Sequence, residues 1–172
     1  MRELRRFLLA VLVALAVPLF VGCGFQLRGA YSLPYESIYI AGPDYALIPA
    51  GLKRAIRSSG STRLVSSQAE AQATFVTTQD VKETIVLAYS SSGRVREKRL
   101  RYRYAYRIID QKGGDLVLPG VVELTRDLTY ADSDVLAKTQ EEDLLWRDME
   151  TDLVQQLMRR LAAAKPTPPA VD

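Results

Sequence analysis

The chain has 172 residues, with 23 lysines and arginines against 20 aspartates and glutamates, no histidine and one cysteine. Without histidine, and with a single thiol, it lacks the commonest general base, the commonest transition-metal ligand and any disulfide framework. The formal charge of +3 is no polycation signal: setting aside Arg2, Glu3, Arg5 and Arg6 leaves 20 basic and 19 acidic residues, so anion binding requires local clustering.

Those first residues form a positive leader. The stretch Phe7 to Val21 that follows carries no charge, and Gly22 stands just before Cys23. This is the layout of a secretory signal: basic start, apolar middle, small residue at the cut. A membrane-spanning helix needs about 20 apolar residues, more than this run supplies. The small-residue-then-cysteine ending resembles the bacterial lipobox, with Phe20 where that motif usually has leucine. An ordinary signal peptide or N-terminal anchor with an incidental cysteine shares the layout. The sole cysteine, however, stands where processing requires it, which favours lipidation of Cys23. The chain then divides into a lipoprotein signal peptide (1–22), a lipidated N-terminal tether (23–35), one α+β domain (36–164) and a disordered tail (165–172).

Within the domain, Glu36 to Ala41 is aromatic and β-branched and is closed by Gly42-Pro43, which predicts a first strand. Pro49 suits the first turn of a helix running to about Ser59, with Gly60 as its stop and Ile48, Leu52, Ala55 and Ile56 as its buried stripe. A short extended piece is expected near Arg63 to Val65. Three long segments, Ala73–Tyr89, Val95–Asp110 and Leu116–Leu128, are separated by turns at Ser90–Gly93 and Gln111–Gly114 and read as an antiparallel meander. Pro119-Gly120 places the last strand at an edge or marks a bulge. A long helix starts between Ser133 and Thr139 and ends near Ala163. Leu145, Met149, Leu153, Leu157 and Leu161 recur along it as a core stripe, broadened by Trp146, Val154 and Met158. Trp146 suits either the core or an interface. The expected fold is an α+β two-layer sandwich: an about four-stranded, mostly antiparallel sheet with two helices packed on one face.

Two places stand out chemically. In Arg99 to Ile108 one strand face collects Leu100, Tyr102, Tyr104, Tyr106 and Ile108, and the other Arg99, Arg101, Arg103 and Arg107, with Arg94, Arg96 and Lys98 toward the hairpin tip. The arginines can pair with cross-strand acids such as Asp80, Glu83 or Glu123, stay solvated, or bind an external anion. Nucleic acid is a poor fit, since the tyrosines share the core-facing side instead of interleaving with the arginines. The second place is the start of the last helix. Ser133 can cap a helix that contains Lys138 and pairs it with Glu141 or Glu142. Alternatively Thr139 and Glu142 form a capping box with Lys138 just outside it. No Gly-rich phosphate loop or Ser-x-x-Lys pair occurs, and neighbouring carboxylates such as Glu141 and Glu142 point about 100° apart on a helix. Catalysis is not expected.

The segment Gly22-Cys23-Gly24-Phe25-Gln26-Leu27-Arg28-Gly29 resembles the opening of the LptE family of lipopolysaccharide-assembly lipoproteins. The resemblance resumes at Arg126 and continues through Leu136-Ala137-Lys138, Glu141-Glu142, Leu145, Met149, Gln156-Leu157 and Arg160-Leu161. It implies a non-enzymatic protein of the outer membrane that faces the periplasm and is held by the lipid on Cys23, with no other cofactor. It also implies a place in the lumen of an LptD-like β-barrel, as plug and assembly factor, and binding of lipopolysaccharide (LPS). The family's basic residue in the Leu-Ala-Lys segment falls on Lys138, and Arg94 and Arg96 are nearest to its second basic position. Gly24, where an aspartate would retain the protein at the inner membrane, fits sorting to the outer membrane. The alternative is a free-standing periplasmic lipid- or glycan-binding lipoprotein, which would need an apolar cavity; the sequence offers only one core stripe per element. An envelope hydrolase would need a nucleophile that the chain does not display.

Overall fold

A computed structural model describes residues 31–130 and 135–166. Cys23, Ser133 and most of the expected tether and tail lie outside them. In chain order the elements are β1 (Ser37–Ile40), α1 (Leu47–Ser59), β2 (Arg63–Leu64), a 3-10 turn (Gln68–Glu70), β3 (Ala73–Tyr89), β4 (Val95–Ile109), β5 (Asp115–Thr129) and α2 (Val135–Ala163).

The strands form one sheet in the order β2-β1-β3-β4-β5. The long members β3, β4 and β5 are antiparallel hairpin partners, as the turn residues dictate. Gly93 and Gly113 take the left-handed backbone in the two turns (φ 76° and 87°). Asp110 Oδ1 accepts from the Lys112 and Gly114 N–H groups, both at 2.8 Å, which fixes the second turn. The sheet has a fifth strand beyond the four expected: the short extended piece near Arg63 pairs with β1. Both neighbours of β1 run parallel to it, because α1 carries the chain back over the sheet before β2 begins.

Both helices cover one face of the sheet. In α1, Ile48, Leu52 and Ile56 are buried, and Gly60 ends the helix in the left-handed conformation (φ 66°). The helix begins at Leu47, so Pro49 falls in its first turn, as expected. In α2 the buried residues are Met149, Leu153, Leu157, Met158 and Leu161. The two helices meet where Gly51 faces Val154: a Cβ at Gly51 would lie 2.8 Å from a Val154 methyl group. Beneath them lie Ile38, Ile40, Phe75, Leu100, Tyr102, Tyr104, Tyr106, Ile108, Val122 and Leu124. The tyrosine face of β4 is therefore the floor of the core. Each Leu or Ile fully withdrawn from water there contributes about 1.5–3 kcal/mol.

The expectation for Pro119-Gly120 is met twice over. Strand β5 is a sheet edge, and the β4–β5 register slips between Tyr106 and Ile108, opposite these residues. The edge also carries side-chain donors. Arg160 donates to the Val121 carbonyl at 2.6 Å, and Arg126 to the Thr125 carbonyl at 2.9 Å.

Candidate functional site

The helix-free face of the sheet displays Arg99, Arg101, Arg103 and Arg107 of β4, and each of these four has an acidic partner. Arg99 grips Asp127 with two bonds (2.7 and 2.8 Å) and Arg101 pairs with Glu83. Arg103 lies 3.1 Å from Glu123 and also donates to Gln79, while Arg107 reaches Asp115 at 2.8 Å. Three of the partners lie on β5 and one, Glu83, on β3, so the ladder ties three strands together and cancels its own charge. Hydrogen bonding to Arg99 holds the Asp127 carboxyl below its usual range, and the same bond raises the guanidinium. Individually such exposed pairs are worth little, roughly 0–1 kcal/mol.

Of the three acids expected there, Glu83 and Glu123 take part and Asp80 does not. A register shift between Thr77 and Gln79 puts Asp80 opposite Tyr104, on the helix-covered face. Burial, and then the nearby Asp80, raise the Tyr102 hydroxyl far above its ordinary value. Asp115 and Asp127 are partners that the sequence reading missed, since only the register of β5 reveals them.

The other candidate residues meet at the end of the sheet that carries the β3–β4 hairpin tip. There α2 begins ahead of Lys138, so Lys138 and Thr139 are helix residues and the capping-box alternative does not form. Lys138 pairs with Glu141 at 2.7 Å, one turn on. Arg96 is joined to the end of β5 through the Tyr130 N–H on its carbonyl (2.8 Å), and Ser90 Oγ accepts the Arg94 N–H (3.1 Å). Lys98, on the same strand face as Arg96, binds Glu142 of α2 at 3.0 Å. Lys138, Arg94 and Arg96 thus share one end of the molecule. Val86, Leu87 and Tyr89 stand exposed beside them on the hairpin.

Trp146 belongs to the core side: it packs edge-on against Tyr102 (6.3 Å), and Lys82 lies over both rings while pairing with Glu150. Among the described residues no group of three or more Cys, His, Asp and Glu side chains is placed to hold a metal ion.

Burial alone would raise the Glu142 carboxyl, but Lys98, Tyr130 and Thr84 outweigh it and hold the group below its ordinary value of 4.5. A depressed carboxylate stabilises the fold above its unfolded pKa and loses that contribution as pH falls through the folded one. Acidification below about 4.5 should therefore loosen the first turns of α2. Trp146, the only tryptophan, reports this by fluorescence. Glu142→Gln should flatten the titration, whereas the contributions of Asp127 and Asp44, also depressed, should remain in both proteins.

A two-layer domain with both helices on one face of a five-stranded sheet defines a class of bacterial lipoproteins, as solved structures show. A solution NMR structure of a lipoprotein B from Nitrosomonas europaea matches with TM-score 0.69 and 38% identity, covering 81% of this chain and 91% of that one. A minor lipoprotein from Acinetobacter baumannii shares the fold at TM-score 0.62 and 21% identity, over 78% of this chain and 99% of its own. In sequence, the LPS-assembly lipoprotein LptE of Photorhabdus laumondii is 25% identical over 162 residues, 92% of this chain and 87% of that protein. The family model described as LptE, lipopolysaccharide-assembly, matches residues 35–161. The chain belongs to the LptE family of LPS-assembly lipoproteins.

Proposed function

We propose that this protein is a non-enzymatic outer-membrane lipoprotein. Cys23 carries its lipid, residues 36–164 form its working domain, and an LptD-like β-barrel is its partner, which it plugs and helps to assemble. The family match over residues 35–161 carries this reading. LPS is the proposed ligand, bound at the hairpin-tip end by Lys138, Arg94 and Arg96. Lys138 supports this as a partly exposed ammonium whose acidic neighbour, Glu141, is itself half exposed and easily exchanged for a phosphate. The arginine ladder suits a different role. Its guanidiniums are already matched, so an incoming anion would have to displace four carboxylates, whereas a barrel wall can rest on a flat, self-neutralised surface.

Two experiments test the reading. Full-length tagged protein purified from detergent-solubilised outer membranes should bring down a large β-barrel in stoichiometric amount. Recovery alone, or with lipid only, would favour the free-standing lipid carrier. Separately, Lys138→Asp should weaken LPS binding about tenfold, the scale of one lost charge-assisted hydrogen bond, with an unchanged circular dichroism spectrum. Wild-type affinity in that variant would remove Lys138 from the site.

A further inference from the structure

Glu142 sits in an unusual setting for a helix carboxylate. Three donors from three separate segments converge on it: Lys98 Nζ of β4 and Tyr130 Oη beyond β5, each 3.0 Å from Oε2, and Thr84 Oγ1 of β3, 3.5 Å from Oε1. Lys98 is further positioned over the Tyr130 ring, 5.0 Å from its centre. The seat is half sheltered, with the Lys98 and Glu142 side chains 25% and 18% exposed. Docking of α2 does not require so many donors here, because the helix is anchored further along by Met149, Leu153, Leu157 and Leu161. One ammonium and two hydroxyls, all aimed at oxygen, form a donor set suited to a tetrahedral oxyanion, for which a carboxylate is a two-oxygen substitute.

We propose that Lys98, Tyr130 and Thr84 form a phosphate seat that Glu142 occupies from within, so that a phosphate group binds by displacing Glu142. The inference deepens the LPS-binding reading, on which it rests only for the source of the phosphate. The seat adds residues outside Lys138, Arg94 and Arg96, and it gives the end of α2 two states: latched by Glu142, or released with phosphate in its place. A ligand shifts that balance only through its differential affinity for the two states. The internal carboxylate therefore lowers apparent phosphate affinity, and removing it should raise that affinity.

The test uses the whole lipoprotein in detergent, with inorganic phosphate as the first probe and vesicles containing lipid A as the second. Glu142→Ala should bind inorganic phosphate at least tenfold more tightly than wild type, read by calorimetry and by a phosphate-dependent rise in melting temperature. The double variant Lys98→Met/Glu142→Ala, which leaves no unpaired charge in the seat, should lose that gain. If Glu142→Ala fails to fold, Glu142→Gln carries the same comparison. A gain that extends to lipid A vesicles supports the seat and assigns it to a lipid headgroup. A gain confined to inorganic phosphate supports the seat and assigns it to the free ion. No gain over wild type, or a gain that survives loss of Lys98, overturns the proposal. LPS binding by wild type and by Lys138→Asp is measured alongside, so that failure of the LPS reading stays distinct from failure of the seat.

Discussion

Leu157→Ala is expected to destabilise the domain by about 2–5 kcal/mol, the range for emptying a closed site in a packed core. Leu157 is fully buried on α2, in the cluster that includes Tyr104 and Leu153, so neighbours on both layers would have to move to fill the gap. A small domain is stable by only about 5–15 kcal/mol, so the loss is a large share of the whole. Leu144→Ala on the same helix, where the side chain is 56% exposed, should change stability by no more than about 0.5 kcal/mol. Urea denaturation of the two variants reads the helix directly. Equal effects would mean that α2 does not pack through the 149–153–157–161 stripe.

Gly120→Val should cost about 1–3 kcal/mol by overpacking, although valine is intrinsically the better strand residue. The reason is Tyr106, whose ring end packs against Gly120: a Cβ there would fall 2.4 Å from the ring's Cζ. The ring cannot simply swing aside, because it also stacks on Phe75 at 5.1 Å and is nearly buried. Trimming it should relieve the clash. In a double-mutant cycle with Tyr106→Leu the two changes should be non-additive, the pair costing less than the sum of the single variants. Strict additivity would separate the glycine from the tyrosine.

Much of this architecture could be read from the chain because its signals are local. The alternation of Leu100 through Ile108 assigns the buried face of β4, and the glycines at 93 and 113 mark turns that only antiparallel neighbours can share. The fifth strand could be noticed but not counted, since two residues, Arg63 and Leu64, are too few to show a period. The parallel setting of β1 leaves no mark on its own residues, because pairing direction is decided by the crossover through α1. The candidate site was legible in part for the same reason. An arginine row is visible in one strand, but its partners depend on register, and slips near Thr78 and Pro119 send Asp80 to one face and bring Asp115 to the other. Lys98 and Glu142 lie 44 positions apart, and nothing local announces their meeting.

The edge formed by β5 bears on the company this protein is proposed to keep. A barrel under construction presents strands whose hydrogen-bonding groups are still unsatisfied, and any open strand nearby is a template for them. Here Pro119 withholds a donor, while Arg160 and Arg126 already occupy the Val121 and Thr125 carbonyls. A partner whose edge is interrupted in this way offers fewer open groups to nascent strands lying beside it.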